Sequence, residues 1–542
     1  MHDEICNYPE KNWFLWFGRF LVVVFVFLFL GRLVDLQIIR GAYFRELADK
    51  NRIRKISISA SRGLILDKNG KILVGNRDVK KFVRFSFDSG FKKEIYDPSL
   101  AEESEIILES ERVYFLGSDF GHASGYLSET TKEEVGKVRP NCPEKGQRKL
   151  SQLIGRTGLE EYFDCVLSGF DGEEIVEVDS MGRKVRTLGR KMPINGENIN
   201  TNIDAFMQRL VSKHMQGKRG AAIATDQMGR VLAIYSAPSY DPNDFIKGDL
   251  DKIKLYFQDK NLPLFNRVIS GIFHPGSVYK PLVGLAALSE EVIGKDFKFN
   301  DEGVITVDSA FGSFSYSNWY FTQHGGKEGL ISLARALARS TDTYFYKVGE
   351  LLGVKKLEEW SRKFELDKKT GIELPGEIEG LVPSPEWKLR TKGENWFLGN
   401  TYHYAIGQGD LAITPAAVQK MTVAIVNGGY LCDLKIVGVD ECENLHINPE
   451  YLSIVHEGMK RACERGGTAF PFFDFRSKVL CKTGTAETLK ENVTHAWFVV
   501  AYPDVNPEII ITILVEEGGG GSSEAAPVAR KILDEYLDKF IN

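Results

Sequence analysis

The chain has 542 residues, enough for three or four domains with cores of their own. Charged residues make up 26% and hydrophobic residues 43%, the balance of a folded globular protein, which excludes a disordered or fibrous chain. The 69 Lys and Arg residues stand against 74 Asp and Glu, a formal net charge of −5, and no basic run is interleaved with aromatics, so no nucleic-acid partner is expected.

Residues 1–12 read as a short tail. Trp13 to Leu30 is almost wholly apolar and unbroken from Phe20 onward. Those residues in a helix, at about 1.5 Å each, reach about 27 Å, close to the ~30 Å hydrocarbon core of a bilayer. Arg19 interrupts the run and would have to snorkel. No small-x-small cleavage site comes after it, so 13–36 is predicted to be an uncleaved signal anchor. Lys11 and Arg19 precede or enter the span, whereas Arg32, Arg40 and Arg45 lie beyond it. The positive-inside count therefore does not by itself favour export of the C-terminal part.

Residues 37–200 alternate strand-like runs such as Arg54–Ala60 with turns such as Asp67-Lys-Asn-Gly70. The part from about 80 to 150 is richer in charge, with a polar stretch from Ser124 to Lys137, and reads as an inserted head or as a solvated linker.

From 201 onward the pattern changes. Ala221–Thr225 and Val231–Tyr235 read as a hairpin. Ala496–Ala501 and Ile509–Val515 return as strands, and a helix from Ala525 to Phe540 is expected to pack on the same sheet. Gly518 to Ser523 reads as a flexible turn, and no P-loop lysine comes after it.

Three short motifs lie in this region. Ser277-Val-Tyr-Lys280 comes after the turn-like His274-Pro275-Gly276 and precedes the apolar run Pro281–Leu288. Residues three apart share a helix face, with Cβ atoms roughly 5–6 Å apart. A serine hydroxyl needs a base to become a nucleophile, and Lys280 can be that base if burial or positive charge such as Lys482 lowers its pKa. An isolated pair of this kind is more often a surface accident. Ser340-Thr341-Asp342 sits where a helical pattern breaks and resumes. Ser340 can relay a proton and Asp342 can orient Lys280 or a substrate amide; the plainer reading is a helix N-cap. Lys-Thr-Gly occurs twice. Lys369-Thr370-Gly371 lies in a polar, turn-like stretch, whereas Lys482-Thr483-Gly484-Thr485 continues the buried strand pattern Val479-Leu-Cys481. The second copy is therefore the functional one, with small residues that let a peptide backbone approach.

The seven cysteines (Cys6, Cys142, Cys165, Cys432, Cys442, Cys463, Cys481) show no C-x-x-C pair and no zinc spacing with histidine, so no metal and no cofactor are expected. An oxidising compartment would allow a pair such as Cys432 with Cys442; free buried cysteines are the commoner state and the favoured reading. Cys481 reads as strand packing. His274 and His324 lie near the motifs and read as structural.

The ordered motifs resemble class B high-molecular-weight penicillin-binding proteins of the elongation type, and the resemblance runs from Trp13 to the C-terminus. Further landmarks carry it: Ser61–Gly70, Gly155–Tyr162, Ser180-Met-Gly-Arg183, Asn202–Asn243, Ile406-Gly-Gln-Gly409 with Thr414-Pro415, and His495–Phe498. Asp342, where septal relatives usually carry Asn, and the runs Thr370–Glu377 and Leu381–Trp387 resemble the elongation type rather than the septal alternative. Thr341 departs from the Cys or Ala common in relatives. The resemblance implies an α+β chain: a transpeptidase domain over 201–542, with an antiparallel sheet flanked by helices plus an all-helical lobe. It also implies an elongated pedestal over 37–200 and one transmembrane helix. Arg62 and Asp67 would be a buried structural pair of the pedestal.

The implied chemistry is a two-step acyl transfer. Ser277 attacks the bond between the terminal D-alanines of a peptidoglycan stem peptide, and a neighbouring amine then takes the acyl group. Lys280 is the base, Ser340 passes the proton to the leaving nitrogen, and Lys482 and Thr483 hold the substrate carboxylate. Gly484 permits a close fit, and the backbone N–H groups of Ser277 and Thr485 form the oxyanion hole. β-Lactams would acylate the same serine. The implied partners are stem peptides, the inner membrane, elongation-complex proteins and a membrane glycosyltransferase, with the bulk of the chain in the periplasm. A β-lactamase would not need the pedestal, a carboxypeptidase would use water in place of the amine, and a silent scaffold would not need intact Ser277, Lys280, Ser340 and Lys482.

Overall fold

The computed structural model describes residues 13–86, 90–95, 106–179, 184–309 and 312–539. The tail 1–12 with Cys6, the landmark Ser180–Arg183 and residue Phe540 lie outside them. Contacts divide the chain into two compact units, and the segment 37–200 is shared between them.

The first unit holds 1–61, 78–110 and 170–195. Helix α1 (Trp13–Val34) buries none of its residues and carries apolar side chains all round. That pattern suits lipid rather than water. Its 22 residues reach about 33 Å, and among the described residues no other helix is long and apolar enough to cross a membrane. Strands Ile53–Ile58, Gly172–Val178 and Lys184–Lys191 form an antiparallel ribbon with Gly172–Val178 in the middle.

The second unit holds 62–77, 111–169 and 196–542. Its centre is a five-stranded antiparallel sheet of β1 (Gly220–Thr225), β2 (Val231–Ala237), β3 (Leu480–Glu487), β4 (Thr494–Tyr502) and β5 (Ile509–Val515), in spatial order β2-β1-β5-β4-β3. The strands do come from both ends of the segment, as the sequence pattern predicts. Both faces are covered, so β1, β2 and β5 are buried at every position and read as continuous apolar runs rather than alternating ones. One face packs on α2 (Ala205–Met215) and on the C-terminal helix, through Met207, Val211, Ile532 and Leu533 against Ala222, Ile511 and Ile513. The other face joins the core of a helical lobe built on α3 (Lys280–Ser289), α4 (Asp342–Lys363), α5 (Pro415–Val426) and α6 (Pro449–Ala462). Helix α3 is buried on all sides except near its end, which explains why Pro281–Leu288 lacks an exposed polar stripe. The C-terminal helix, α7 (Ala526–Asp538), continues from a wide helical turn at Gly521–Ala525. Part of the expected flexible turn is thus ordered: a Cβ on Gly521 would stand 2.3 Å from the carbonyl oxygens of both Gly484 and Trp497. Only glycine lets this turn press against β3 and β4.

Two expectations are corrected. Arg62 does not pair with Asp67. Its Nε donates to Glu160 at 2.5 Å, where Arg112 Nε also donates at 2.7 Å, and its Nη2 pairs with Asp164. Glu160 is fully buried, and a buried carboxylate needs such partners. Asp67 instead closes its own turn by accepting from Asn69 N and Lys71 N. The cysteines, favoured as free, form three disulfides: Cys142–Cys165, Cys432–Cys442 and Cys463–Cys481. Cys432–Cys442, ten residues apart, is the pair the sequence offered; the other two are brought together by the fold from spacings of 23 and 18 residues, which no sequence rule encodes. Cys481 packs in β3 as expected and is bonded as well.

Candidate active site

Ser277 sits in a tight 3-10 turn, Gly276–Tyr279, immediately before α3. Gly276 has φ +59°, and a Cβ there would press to 3.0 Å of Thr485 O. Its N–H donates to Gly407 O, and a Cβ on Gly407 would collide with Gly276 O at 2.2 Å. The Ile406-Gly-Gln-Gly409 landmark is therefore the cradle of the serine turn, a role the sequence pattern did not reveal. Gln408 reaches on to Thr485 O at 3.4 Å.

Lys280, Ser340, Asp342 and Lys482 meet in one buried cluster. Ser340 lies in the left-handed region (φ +57°) between helix Leu333–Arg339 and α4, which breaks the helix as predicted. The N-cap reading fails, because Thr341 is the cap residue and neither its side chain nor that of Ser340 makes a capping bond to α4. Lys280 Nζ donates to Asp342 Oδ1 at 2.7 Å, to Ser340 O at 2.8 Å and to Ser340 Oγ at 3.4 Å. Lys482 Nζ donates to Ser340 Oγ at 2.9 Å and to Thr483 O at 2.9 Å. One hydroxyl thus bridges two lysines. Ser277 Oγ has no hydrogen-bonding partner among the described residues, so in this resting arrangement Lys280 is turned to Asp342 rather than to the serine. Catalytic hydrogen bonds often form only with substrate in place.

Asp342 is itself fixed. Trp319 N donates to its Oδ2, and Asp342 N donates to Asn318 Oδ1. Asn318 is fully buried and donates to Asp301, which also accepts from Thr343 Oγ1. Asn318 and Asp301 carry no motif and sequence reasoning missed them; single residues 24 or more positions away in the chain leave no local signal.

Burial lowers the pKa of Lys280, and Asp342 opposes that shift. Among the described residues Lys482 makes no ion pair; burial and the nearby Lys280 ammonium hold it well below the usual lysine range, against an opposing pull from Asp342. Two ammonium groups cannot comfortably share one dry hydroxyl, so the cluster favours one neutral amine.

β3 is an edge strand, and among the described residues no strand pairs with its outer side. Thr488 N donates to Val493 O, so by ladder alternation Lys482, Gly484 and Ala486 bond to β4. Thr483, Thr485 and Glu487 turn their backbone groups to the open edge. A Cβ on Gly484 would meet Trp497 Cβ at 2.9 Å and Val278 Cγ1 at 3.1 Å, which is why glycine stands between the strand and the serine turn. Thr483 Oγ1 lies 2.7 Å from Thr468 Oγ1. The other copy, Lys369-Thr370-Gly371, is structural: Thr370 N and Oγ1 both donate to Glu377.

Residues 220–534 match the family model of the penicillin-binding protein transpeptidase domain. The chain belongs to that family. Residues 101–201 match the penicillin-binding protein dimerisation domain. This penicillin-binding protein is 29% identical to the peptidoglycan D,D-transpeptidase MrdA of Haemophilus influenzae, over 93% of this chain and 88% of the relative. Its fold matches the penicillin-binding protein PBP2 of Helicobacter pylori, solved in complex with MreC, with a TM-score of 0.77 and 26% identity over 90% of this chain and 99% of that one. It also matches a chain of a peptidoglycan synthase complex that coordinates polymerisation and crosslinking, with a TM-score of 0.75 and 25% identity over 97% of this chain and 98% of that one.

Proposed function

We propose that this penicillin-binding protein is the elongation-type D,D-transpeptidase of its cell wall, with Ser277 as nucleophile. The observation that supports the roles best is the convergence of Lys280, Ser340 and Lys482 in one buried set beside a serine turn that packs on Thr485. A neutral amine at Lys482 can draw a proton from Lys280 through Ser340. Lys280 is then free to take the Ser277 proton, and Ser340 returns a proton to the leaving D-alanine. The N–H groups of Ser277 and Thr485 stabilise the oxyanion, a contribution of roughly 3–4 kcal/mol per donor in serine enzymes. Lys482 and the Thr483 hydroxyl take the terminal carboxylate, and an acceptor amine resolves the acyl-enzyme. β-Lactams acylate the same serine.

We read 13–36 as the anchor, 37–200 as the non-catalytic segment with a head near 80–150, and 201–542 as the transpeptidase domain, placed in the periplasm. Three disulfides beyond the anchor, one in 37–200 and two in 201–542, support an oxidising compartment. Partners of the kind seen with the relatives, an elongation-complex protein and a glycan polymerase, fit a chain anchored in this way. The experiment is intact-mass analysis after labelled penicillin: one stable adduct on the wild type and none on Ser277→Ala. Rapid drug turnover without an adduct, or an adduct that persists on Ser277→Ala, would overturn the assignment.

A further inference from the structure

The outer edge of β3 carries one charged group that the acyl-transfer chemistry leaves unused. Glu487 ends the strand, is exposed, and shares a face with Thr483 and Thr485. Among the described residues its side chain makes no hydrogen bond and no ion pair. Its charge reaches His403 on helix Leu398–Ala405 and Tyr346, one helical turn after Asp342 on α4. Tyr316 stands edge-on to both His403 and Tyr346, at 5.9 Å from each, so the groups within reach of that charge form one aromatic cluster. Such rings favour a cation over an anion.

Charge fixes the direction in which a peptide lies along this edge. The turn that carries Ser277 is seated against Thr485 through Gly276. Lys482 lies on one side of that point and Glu487 on the other. A peptide that ends in a carboxylate must place it toward the lysine, so the chain upstream of the reacting carbonyl runs antiparallel to β3, toward Glu487. The N–H of Thr485 and the backbone groups of Glu487 face this edge and suit a strand added there, with Thr485 O shared with Gln408. From Thr485 to Glu487 is about 7 Å of strand, within reach of a long side chain one residue upstream of the acyl position.

Building on the acyl-transfer reading, we propose that Glu487 is a donor-side specificity residue. It takes an ammonium group on the side chain of the stem-peptide residue that precedes the acyl-forming D-alanine.

The test uses the full chain in detergent and two synthetic thioester donors ending in D-alanyl-thioglycolate. They differ only in the residue before the D-alanine, lysine in one and Nε-acetyl-lysine in the other. The readout is the ratio of their acylation rates within each protein, and benzylpenicillin labelling of Ser277 reports whether the site is intact. Wild type should favour the free amine by about two- to fivefold, the size of a solvated ion pair. Glu487→Gln should bring the ratio to about one, and Glu487→Asp should retain part of the preference. A ratio near one in wild type, an undiminished ratio in Glu487→Gln with benzylpenicillin labelling intact, or a preference that appears only in the acceptor step would each overturn the proposal. If wild type takes up neither donor nor benzylpenicillin, the acyl-transfer reading itself fails.

Discussion

The Cys463–Cys481 disulfide should support both stability and acylation, because it ties the end of α6 to the residue directly before Lys482. The bond closes a loop of 18 residues. Loop-closure entropy for that length gives about 3 kcal/mol of stabilisation through the unfolded chain. The closed segment also holds Thr468, whose hydroxyl contacts Thr483. Replacing both cysteines by alanine should therefore lower the free energy of unfolding by at least about 3 kcal/mol and slow β-lactam acylation. The assay is a urea titration of the full chain, monitored by tryptophan fluorescence and by residual labelling with a fluorescent penicillin. The Cys432–Cys442 pair is the control. Its loop of 10 residues predicts a loss of about 2.7 kcal/mol, but Cys432 sits by the β1–β2 turn, at the opposite edge of the sheet from Lys482. Its removal should cost stability and leave the acylation rate of folded protein alone. A loss below about 1 kcal/mol for the Cys463–Cys481 pair, or equal effects of the two pairs on acylation, would refute the reasoning.

Asp342→Asn removes the negative charge that raises the pKa of Lys280 while burial still lowers it, so neutral amine is present at lower pH. The acid limb of the acylation profile should move down in pH with a reduced plateau; an upward move or no move contradicts the role of Lys280 as base. Glu160→Ala leaves Arg112 buried without its carboxylate and Arg62 with Asp164 alone, and should cost about 3–5 kcal/mol by urea unfolding, whereas Asp67→Ala should cost much less. Gly521→Ala forces a methyl against two backbone carbonyls and should slow acylation at little change in expression, measured by penicillin labelling per folded molecule. Thiol titration of the denatured, unreduced chain should find no more than one thiol per molecule, since six of the seven cysteines are paired.

Much of the site was legible because its chemistry demands particular side chains close together in sequence. Ser277 and Lys280 share one turn, and Lys482 to Thr485 share one strand. The second Lys-Thr-Gly was separable from the first because a strand pattern preceded it. What stayed hidden depends on chain-distant meetings. Arg62 found its partner 98 residues away rather than five, because burial rewards the carboxylate that can be fully enclosed. Cysteine pairing, the Asn318–Asp301 support and the Gly407 cradle are set by the packing of the lobe against the sheet, and no periodicity records them.

The cluster also explains why a lysine serves here in place of a histidine. In water the amine of Lys280 would be protonated at neutral pH and useless as a base. Placing it at 0% exposure costs its charged form, yet a lone buried ammonium would be intolerable, so Asp342 stands at 2.7 Å. That carboxylate favours the charged form, but burial outweighs it and the Lys280 amine stays below the usual lysine range. Lys482 adds a second buried amine on the same Ser340 hydroxyl, lowered further by burial and by the Lys280 ammonium. Both amines are thus pushed toward the neutral form, and the Ser340 hydroxyl they share is a route by which a proton can pass between them. Removing Ser340 should on this account be more damaging than the loss of one hydrogen bond, because it separates the two amines that make a neutral base available.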